Sequence, residues 1–253
     1  MSARVVITAG ASGIGLAMAK AFAAQGDRPW VTDVDAAALA AVPEGIRTAR
    51  VDASDEAQMA GFFSEIKDVW GGVDVLCANA GIKGPTASLE DMDLGEWREC
   101  LAVNLDGAML AAKYAAPFMK AQKSGVMIFT SSTAGLYGFP YRAPYAAAKW
   151  AVIGLMKTAA MELGPFGIRA NAICPGSVNG PRIDWVFEAE AAAKGMTPDA
   201  VRAGYAAGTA LGSLVDAEDI ASMAVFLASP GARMVSGQVV AVDGLTVNPD
   251  PKI

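Results

Sequence analysis

The fold of this chain is decided near its start, where residues 4–15 read RVVITAGASGIG. Residues 5–9 are apolar or β-branched, which predicts a short buried strand. The glycine-rich turn that follows leads into small and apolar residues up to position 25, which predict a helix. A strand, a glycine turn and a helix in this order form the context that a dinucleotide-binding turn requires.

Glycines in such a turn let the backbone approach a pyrophosphate, and the N-terminus of the following helix favours its negative charge. We therefore predict that a dinucleotide lies against Gly10, Ser12, Gly13, Ile14 and Gly15. The alternative is a tight turn between packed elements that binds no ligand.

An aspartate, Asp33, ends the second predicted strand, 18 positions after Gly15. A carboxylate at this point accepts a hydrogen bond from the ribose 2′-hydroxyl of NAD. It would repel the 2′-phosphate of NADP by on the order of 1–4 kcal/mol. No arginine follows Asp33 directly, so we predict NAD as the cofactor. The alternative role for Asp33 is the N-cap of the next helix, which Asp35 can also fill.

Strand and helix patterns then alternate along the chain. Further strands are predicted at residues 46–51, 73–77, 126–130, 167–174 and 236–244, and helices at 55–70, 106–120, 145–163 and from 216. This alternation predicts an α/β protein with a Rossmann-type, doubly wound, seven-stranded parallel sheet in a single domain spanning residues 1–253.

The carboxyl ends of parallel strands lie at one edge of such a sheet, where ligands bind. Asp52 follows the third predicted strand and can accept from an adenine amino group, although a plain turn aspartate is the alternative. Small residues after the fourth strand let the backbone run close to a cofactor. The predicted cofactor site therefore also contains Asp52, Ala53, Asn79, Ala80 and Gly81.

A proton-transfer site is predicted where the fifth strand meets the helix at 145–163. Tyr145 and Lys149 are four residues apart and therefore share one helix face, while Ser132 follows the strand. A phenol loses its proton only near pH ~10, and lowering this by about three units takes roughly 4 kcal/mol. One unit charge at ~4 Å supplies about that much at an effective dielectric constant of ~20. By itself the Tyr145–Lys149 pair is also compatible with a chance pairing.

Composition excludes several other classes of protein. The chain has 253 residues, a net charge of −6 and no basic run, so we expect neither nucleic acid nor a membrane as a partner. It has no histidine, which removes Ser-His-Asp triads and histidine metal sites. Its three cysteines form no metal or disulfide spacing, so we expect no metal. The first residues show no signal-peptide pattern, and we expect a cytoplasmic location.

Together these motifs resemble the classical short-chain dehydrogenases/reductases. The matching residues, in the family's order, are residues 8–15 and 79–81, Asn104, Ser132, Tyr145, Lys149, Pro175 and Gly176. The resemblance implies that Tyr145 is the catalytic acid/base and that Ser132 positions the substrate oxygen. It implies that Lys149 favours the phenolate and holds the nicotinamide ribose, and that Asn104 holds a proton-relaying water. From the residues alone, Asn104 is a plausible helix cap.

The resemblance also implies roles for the residues that follow the sixth strand. It implies that Pro175, Gly176 and the backbone of Val178 bind the nicotinamide end of the cofactor. Gly180 stands where relatives often carry a threonine, which predicts a locally altered loop. Residues 181–208 are predicted to form two short helices that act as a substrate-covering lid.

The helices at 106–120 and 145–163 are apolar nearly all round, so they need cover on more than one side. Relatives use these helices as a subunit interface, and we therefore predict a homo-oligomer, a tetramer or a dimer. The alternative is that local loops cover them.

The predicted function is the interconversion of a secondary alcohol and a ketone by hydride transfer with NAD. The candidate substrate residues are Ser132, Arg142 and Arg182. A guanidinium binds carboxylates, sulfonates and phosphates, which adds an acidic substrate as a hypothesis. For Arg182 the alternative is a salt bridge to Asp184 or Glu188. The rival functions are an NADP-dependent 3-ketoacyl-type reductase and a non-catalytic dinucleotide-binding protein.

Overall fold

The structure, a computed structural model, describes residues 2–248, with only the backbone described for Arg182, Ala189 and Ala193. Seven parallel strands form one sheet in the order β3-β2-β1-β4-β5-β6-β7, which confirms the predicted doubly wound fold. The strands are β1 (Arg4–Thr8), β2 (Arg28–Asp33), β3 (Arg47–Arg50), β4 (Val75–Ala78), β5 (Gly125–Thr130), β6 (Ile168–Pro175) and β7 (Val239–Val242).

Helices connect the strands and cover both faces of the sheet. They are α1 (Gly13–Ala24), α2 (Ala36–Ala40), α3 (Glu56–Trp70), α4 (Leu94–Leu101), α5 (Gly107–Gln122), α6 (Ala143–Leu163), α7 (Pro181–Lys194), α8 (Pro198–Ala207) and α9 (Ala217–Ala228). The sequence places Pro144 in the first turn of α6, where its missing N–H removes no helical hydrogen bond.

Strand β5 lies between β4 and β6 and is buried along its whole length. Its successive side chains point to opposite faces of the sheet and so enter two different cores. Met127 joins a core shared with α3, α5 and α6. Its neighbour Ile128 joins the other core, shared with α1 and α9. The two cores fix the sheet between its helix layers and hold the carboxyl ends of the strands at one edge.

The helix predicted at residues 106–120 is present as α5, but it continues from a helix that the sequence did not predict. Helix α4 passes through a π-helical turn, Ala102–Asp106, directly into α5. Asn104 lies inside this turn, so it is not a helix cap. Its Nδ2 donates to the Cys100 carbonyl at 2.9 Å and to the Ile82 carbonyl at 3.0 Å. The wider π turn directs the amide toward the loop after β4, a placement that such turns often serve.

Residues 181–208 contain two helices, as predicted, and form what we call the α7–α8 hairpin. Gly195 ends α7 in a left-handed conformation, and the Thr197 side chain caps α8. The two helices enclose a small core of their own around Phe187 and Val201, which are 2% and 0% exposed. The hairpin is therefore packed as a unit.

All three cysteines are buried. Burial raises the pKa of the Cys77 thiol to about 12 and also raises the pKa of the Cys100 and Cys174 thiols. They therefore stay protonated at neutral pH and pack as small apolar groups. Within residues 2–248, no cluster of acidic or cysteine side chains is suited to a metal ion, and no helix is long and apolar enough to span a membrane.

Candidate active site

The glycine turn after β1 brings its backbone against neighbouring elements. A Cβ on Gly15 would lie 2.2 Å from the Ala9 carbonyl oxygen, and one on Gly10 would lie 2.6 Å from Val31 Cβ. Ser12 is the N-cap of α1, but its side chain makes no capping hydrogen bond. The first N–H groups of α1 therefore point out of the turn without a side-chain partner, which is the arrangement that binds a phosphate group.

Asp33, at the end of β2, borders this turn. Its carboxylate accepts hydrogen bonds from the N–H groups of Ala11 and Asp35, each at 3.2 Å. Asp35 caps α2 by accepting from Ala37 and Ala38. Because Asp35 fills the cap, the alternative role for Asp33 is wrong. An ionised carboxylate accepts about four hydrogen bonds, so Asp33 keeps acceptor capacity for a ribose hydroxyl.

A cleft of about 460 Å³ beside Asp33 is lined by Val34, Arg50, Asp52 and Gln58. Asp52 Oδ1 accepts from the N–H and hydroxyl of Ser54, as a turn aspartate does. Arg50 is 17 residues from Asp33 in the chain and comes close to it only because β2 pairs with β3, with Asp33 opposite Arg50. The sequence alone therefore does not predict its place in the cleft. Its Nε donates to the Val34 carbonyl at 3.2 Å. The cleft therefore has one cationic and one anionic side chain.

Asn79, which follows β4 directly, ties three strands together at this edge. Its Nδ2 donates to the carbonyls of Thr8 and Ala9, both at 3.2 Å, and its Oδ1 accepts from the Thr130 hydroxyl at 3.1 Å. The Thr8 hydroxyl in turn accepts from the N–H groups of Asn79 and Ala80. Asn79 therefore fixes the glycine turn against β4 and β5.

Lys149 is 3% exposed and lies between α6 and the end of β5. Its Nζ donates to the Thr130 carbonyl at 3.0 Å and lies 5.6 Å from the centroid of the Tyr145 ring. Helix α6 brings these two side chains to one face, as their spacing of four residues requires. A buried ammonium close to a phenol stabilises the phenolate.

The two adjacent serines after β5 differ in burial and in hydrogen bonding. Ser131 is 2% exposed, and its hydroxyl donates to the Lys149 carbonyl at 2.8 Å. Ser132 is half-buried, and its Oγ accepts from the Ala134 N–H at 3.1 Å. Ser131 therefore joins β5 to α6, whereas the Ser132 hydroxyl keeps its own proton to donate.

Asn104 leaves one polar atom without a partner. Its Oδ1 is buried and makes no hydrogen bond within residues 2–248. A Cβ on Gly81 would lie 2.7 Å from this oxygen and 3.2 Å from Lys149 Nζ. A side chain at position 81 would therefore collide with Asn104, so glycine lets the loop after β4 pass close to Asn104 and Lys149. The buried Oδ1 is an acceptor that a water could satisfy, and the water at Asn104 stays a prediction.

Arg142, at the N-terminus of α6, holds the loop after β4 and also lies beside Tyr145. Its Nε and Nη2 donate to the Lys83 carbonyl, with the Nε bond at 3.1 Å. Its guanidinium carbon lies 5.1 Å from the centroid of the Tyr145 ring. The side chain of Arg182 lies outside the described part of the structure, so its predicted contact to a substrate stays a prediction.

A second cleft, of about 640 Å³, opens beside these residues. Its lining includes Gly81, Lys83, Glu99 and Trp185. The Nζ of Lys83 lies 3.0 Å from the centroid of the Trp185 ring, a cation–π contact between the loop after β4 and α7. No spacing in the sequence predicts this pair. Its one signal was the position of Lys83, two residues after the 79–81 motif.

The loop at residues 175–180, which follows β6, is held by Val215. The Val215 N–H donates to the Ser177 carbonyl at 3.0 Å, and the Asn179 N–H donates to the Val215 carbonyl at 2.8 Å. In this parallel bridge the N–H and C=O of Val178 point to the opposite side. Gly180 has a φ of 137°, which a threonine rarely adopts, so glycine suits this position; that the loop differs from its relatives stays a prediction.

Known proteins share this sequence and fold. A family model described as enoyl-(acyl carrier protein) reductase matches residues 8–244. A cis-4-hydroxycyclohexanecarboxylate dehydrogenase from Sinomonas cyclohexanicum is 36% identical over 245 residues, 94% of each chain. A D-beta-hydroxybutyrate dehydrogenase from Cupriavidus necator is 36% identical over 247 residues, covering 94% of this chain and 95% of its own. The structure of an NAD⁺-bound xylitol dehydrogenase superposes with a TM-score of 0.90 at 27% identity, over 96% of this chain and 98% of the other.

Proposed function

The chain belongs to the short-chain dehydrogenase/reductase family, and we propose that it is an NAD-dependent enzyme that interconverts a secondary alcohol and a ketone. The observation that carries this proposal is the group formed by Tyr145, the buried Lys149 and the unpartnered Oδ1 of Asn104. These groups provide a phenol, a cation that favours its ionised form, and a place for the water that links them to solvent.

The bound nicotinamide supplies the hydride acceptor or donor. In the direction of oxidation, the Ser132 hydroxyl donates to the substrate oxygen and Tyr145 takes the substrate's hydroxyl proton. Lys149 stabilises the phenolate before this transfer. The proton would then leave by way of Lys149 and a water that donates to Asn104 Oδ1. Ketone reduction uses the same groups in reverse.

We assign the cofactor as NAD on the strength of Asp33. Its carboxylate borders the glycine turn through the Ala11 N–H, where a ribose 2′-hydroxyl could donate to it and a 2′-phosphate would be repelled. Arg50 is the observation that favours the rival NADP reading, because a guanidinium in the neighbouring cleft attracts phosphate. The Arg50 Nε is already bonded to a carbonyl, whereas Asp33 lies against the turn itself.

We further propose that the substrate carries an anionic group. Arg142 lies beside Tyr145, and Lys83 lines the adjoining cleft, so an acid bound against the reacting carbon has cations within reach. The two relatives from Sinomonas and Cupriavidus are named for hydroxy acids, which supports the same substrate class. The xylitol dehydrogenase is named for a neutral polyol, so the proposal needs a direct test.

A panel of secondary alcohols tests cofactor and substrate together. Half of the panel carries a carboxylate or sulfonate, the other half consists of neutral compounds of the same size, and each is assayed with NAD and with NADP by the absorbance of the reduced cofactor. We expect turnover with NAD on acidic members, with kcat/KM at least about tenfold above that on their neutral partners, because one charge-assisted hydrogen bond contributes about 1.5–3 kcal/mol.

The same panel run on the Arg182→Ala variant shows which cationic side chain binds the anionic group of the substrate. An unchanged preference for acids would assign the anion to Arg142 and Lys83, and a lost preference would assign it to Arg182. Turnover confined to neutral alcohols would contradict the acidic substrate. A preference for NADP would contradict the role of Asp33.

We also propose that the chain forms a homotetramer. The outer face of α5 and α6 exposes Met109, Trp150 and Met161, whose side chains are 39%, 52% and 81% exposed. A second apolar patch near the end of α9 exposes Phe226 and Met234, at 46% and 80%. Within residues 2–248 no loop covers these side chains, and two separate patches are what a dimer of dimers requires.

Size-exclusion chromatography with light scattering should therefore give a mass of four chains of 25.9 kDa each. Met161→Glu places a charge in the α5–α6 face and should lower the mass to that of a dimer. Lys67→Glu on α3 changes charge away from both patches and should leave the tetramer intact. A monomeric mass for the unmodified protein would contradict the proposal.

A further inference from the structure

The guanidinium of Arg202 joins the α7–α8 hairpin to the 175–180 loop. Arg202, on α8, donates from Nη1 and Nη2 to Asn179 Oδ1, both at 2.9 Å. Its Nη2 also lies 3.7 Å from Asp184 Oδ1, and its guanidinium carbon lies 5.7 Å from the centroid of the Phe187 ring. One side chain thus contacts α7, α8 and the loop.

The acceptor of this contact is fixed from every side. Asn179 Nδ2 donates to Asp216 Oδ1 at 2.6 Å, and the Asn179 N–H donates to the Val215 carbonyl. Asp216 is the N-cap of α9, where it forms a capping box with Asp219. The side-chain amide of Asn179 therefore has one orientation, with its oxygen toward Arg202 and its nitrogen toward the α9 cap.

Asn179 lies in the loop next to the residue predicted to bind the nicotinamide, so a contact to its side chain can affect cofactor binding. It stands between Val178, whose backbone N–H and C=O point away from Val215, and Gly180, whose left-handed φ of 137° turns the chain into α7. The Arg202–Asn179 bond therefore connects α8 to the residue that lies between Val178 and this turn.

We propose that Arg202 is a positioning residue that ties the α7–α8 hairpin to the backbone of Val178 and thereby sets the affinity for the nicotinamide end of the cofactor. This inference rests on the proposed function, together with the contact between the Val178 backbone and the nicotinamide that the family resemblance implies. In this proposal Arg202 acts through Asn179, to which its guanidinium donates both hydrogen bonds. Its guanidinium has two nitrogens directed at one oxygen, a geometry that a lysine ammonium does not reproduce.

Arg202→Met tests the tie, because methionine keeps the apolar stem over Phe187 and removes the donors. We expect the Kd for NADH, measured by calorimetry, to rise about tenfold, since a lost hydrogen bond to a charged donor corresponds to roughly that factor. Arg202→Lys should recover only part of the affinity. Lys194→Met is the matched control, because it removes a hairpin cation whose salt bridge is to Glu190 within α7, and it should bind NADH like the unmodified protein.

Exchanging the asparagine at 179 with the aspartate at 216 tests whether NADH affinity can be restored. Asn179→Asp should weaken NADH binding, because its carboxylate would face Asp216 Oδ1 at hydrogen-bonding distance. Adding Asp216→Asn restores a donor opposite that carboxylate and keeps a good N-cap for α9, so the double variant should regain affinity only while Arg202 is present. Wild-type affinity in Arg202→Met, or rescue that persists without Arg202, would overturn the proposal.

Hydrogen exchange separates this inference from the proposed function. In Arg202→Met without any cofactor, backbone amides of residues 177–208 should exchange faster than in the unmodified protein, while those of α1 and α3 stay unchanged. Unchanged exchange at residues 177–208 would overturn the proposed positioning role of Arg202, even if the enzyme turns over normally. Faster exchange in a protein that neither binds NADH nor oxidises alcohols would support the contact between Arg202 and Asn179 as a restraint on the hairpin. It would contradict the proposed function.

Discussion

Replacing Tyr145 with phenylalanine should abolish alcohol oxidation and leave NADH binding nearly unchanged. The substitution removes one hydroxyl, the proposed proton acceptor, and keeps the ring that packs between Lys149 and Arg142. General acid–base catalysis contributes about 10²–10⁴-fold, so we expect kcat to fall by about 10³-fold or more. Steady-state rates give kcat, and calorimetric titration with NADH gives the affinity.

Tyr114→Phe is the control for this prediction. Its hydroxyl donates to Glu56 Oε1 at 3.2 Å, between α3 and α5 and away from the candidate site. Losing an exposed hydrogen bond of this kind changes stability by at most about 0.5 kcal/mol, so kcat should stay within about twofold. Turnover of Tyr145→Phe at the unmodified rate would falsify the assignment of Tyr145. Loss of both turnover and NADH binding would instead indicate a collapsed site.

Replacing Gly15 with alanine should have the largest effect on stability. The added Cβ would lie 2.2 Å from the Ala9 carbonyl oxygen and 2.8 Å from Asn79 Nδ2, and neither the backbone nor the braced amide can move far. Overpacking of a core typically costs about 1–3 kcal/mol, and a contact with backbone belongs at or above the upper end of that range. For a chain of this size we expect the Tm to fall by roughly 6–12 °C.

Gly61→Ala is the matched control. Gly61 lies inside α3, and a Cβ there would meet nothing within 4 Å. Alanine in an open helical position stabilises by about 0.5–1 kcal/mol relative to glycine, so the Tm should rise slightly. Calorimetry of both variants decides the matter, because equal Tm values would mean that the turn after β1 relaxes without cost.

Much of the candidate site was predictable because its residues are ordered along the chain. The spacing of Tyr145 and Lys149 fixes their common face on any helix. Asp33 and Asn79 each follow an apolar run that is recognisable as a strand, so their place at one edge of the sheet follows from the parallel fold. Asp35 shows the limit of this reasoning, since two nearby aspartates could each cap α2 until the structure gave the cap to Asp35.

Contacts between elements distant along the chain were not predictable. Arg50 is placed beside Asp33 by the register of β2 against β3. Lys83 meets Trp185, and Arg202 meets Asn179, only because the α7–α8 hairpin folds back over the loops after β4 and β6. Neither pair has a periodicity that a sequence can display.

The sequence by itself determined the alternation of strands and helices, the glycine turn and the helix face that carries Tyr145 and Lys149. Each of these depends on residues within about ten positions of one another, where backbone geometry links spacing directly to direction. Only the tertiary structure decided that Asn104 lies in a π turn with a buried, unpartnered oxygen, and that Arg202 ties the hairpin to the 175–180 loop. Those features depend on the packing of separate elements, because side chains that are far apart in the chain acquire their partners only when the sheet and its helices assemble.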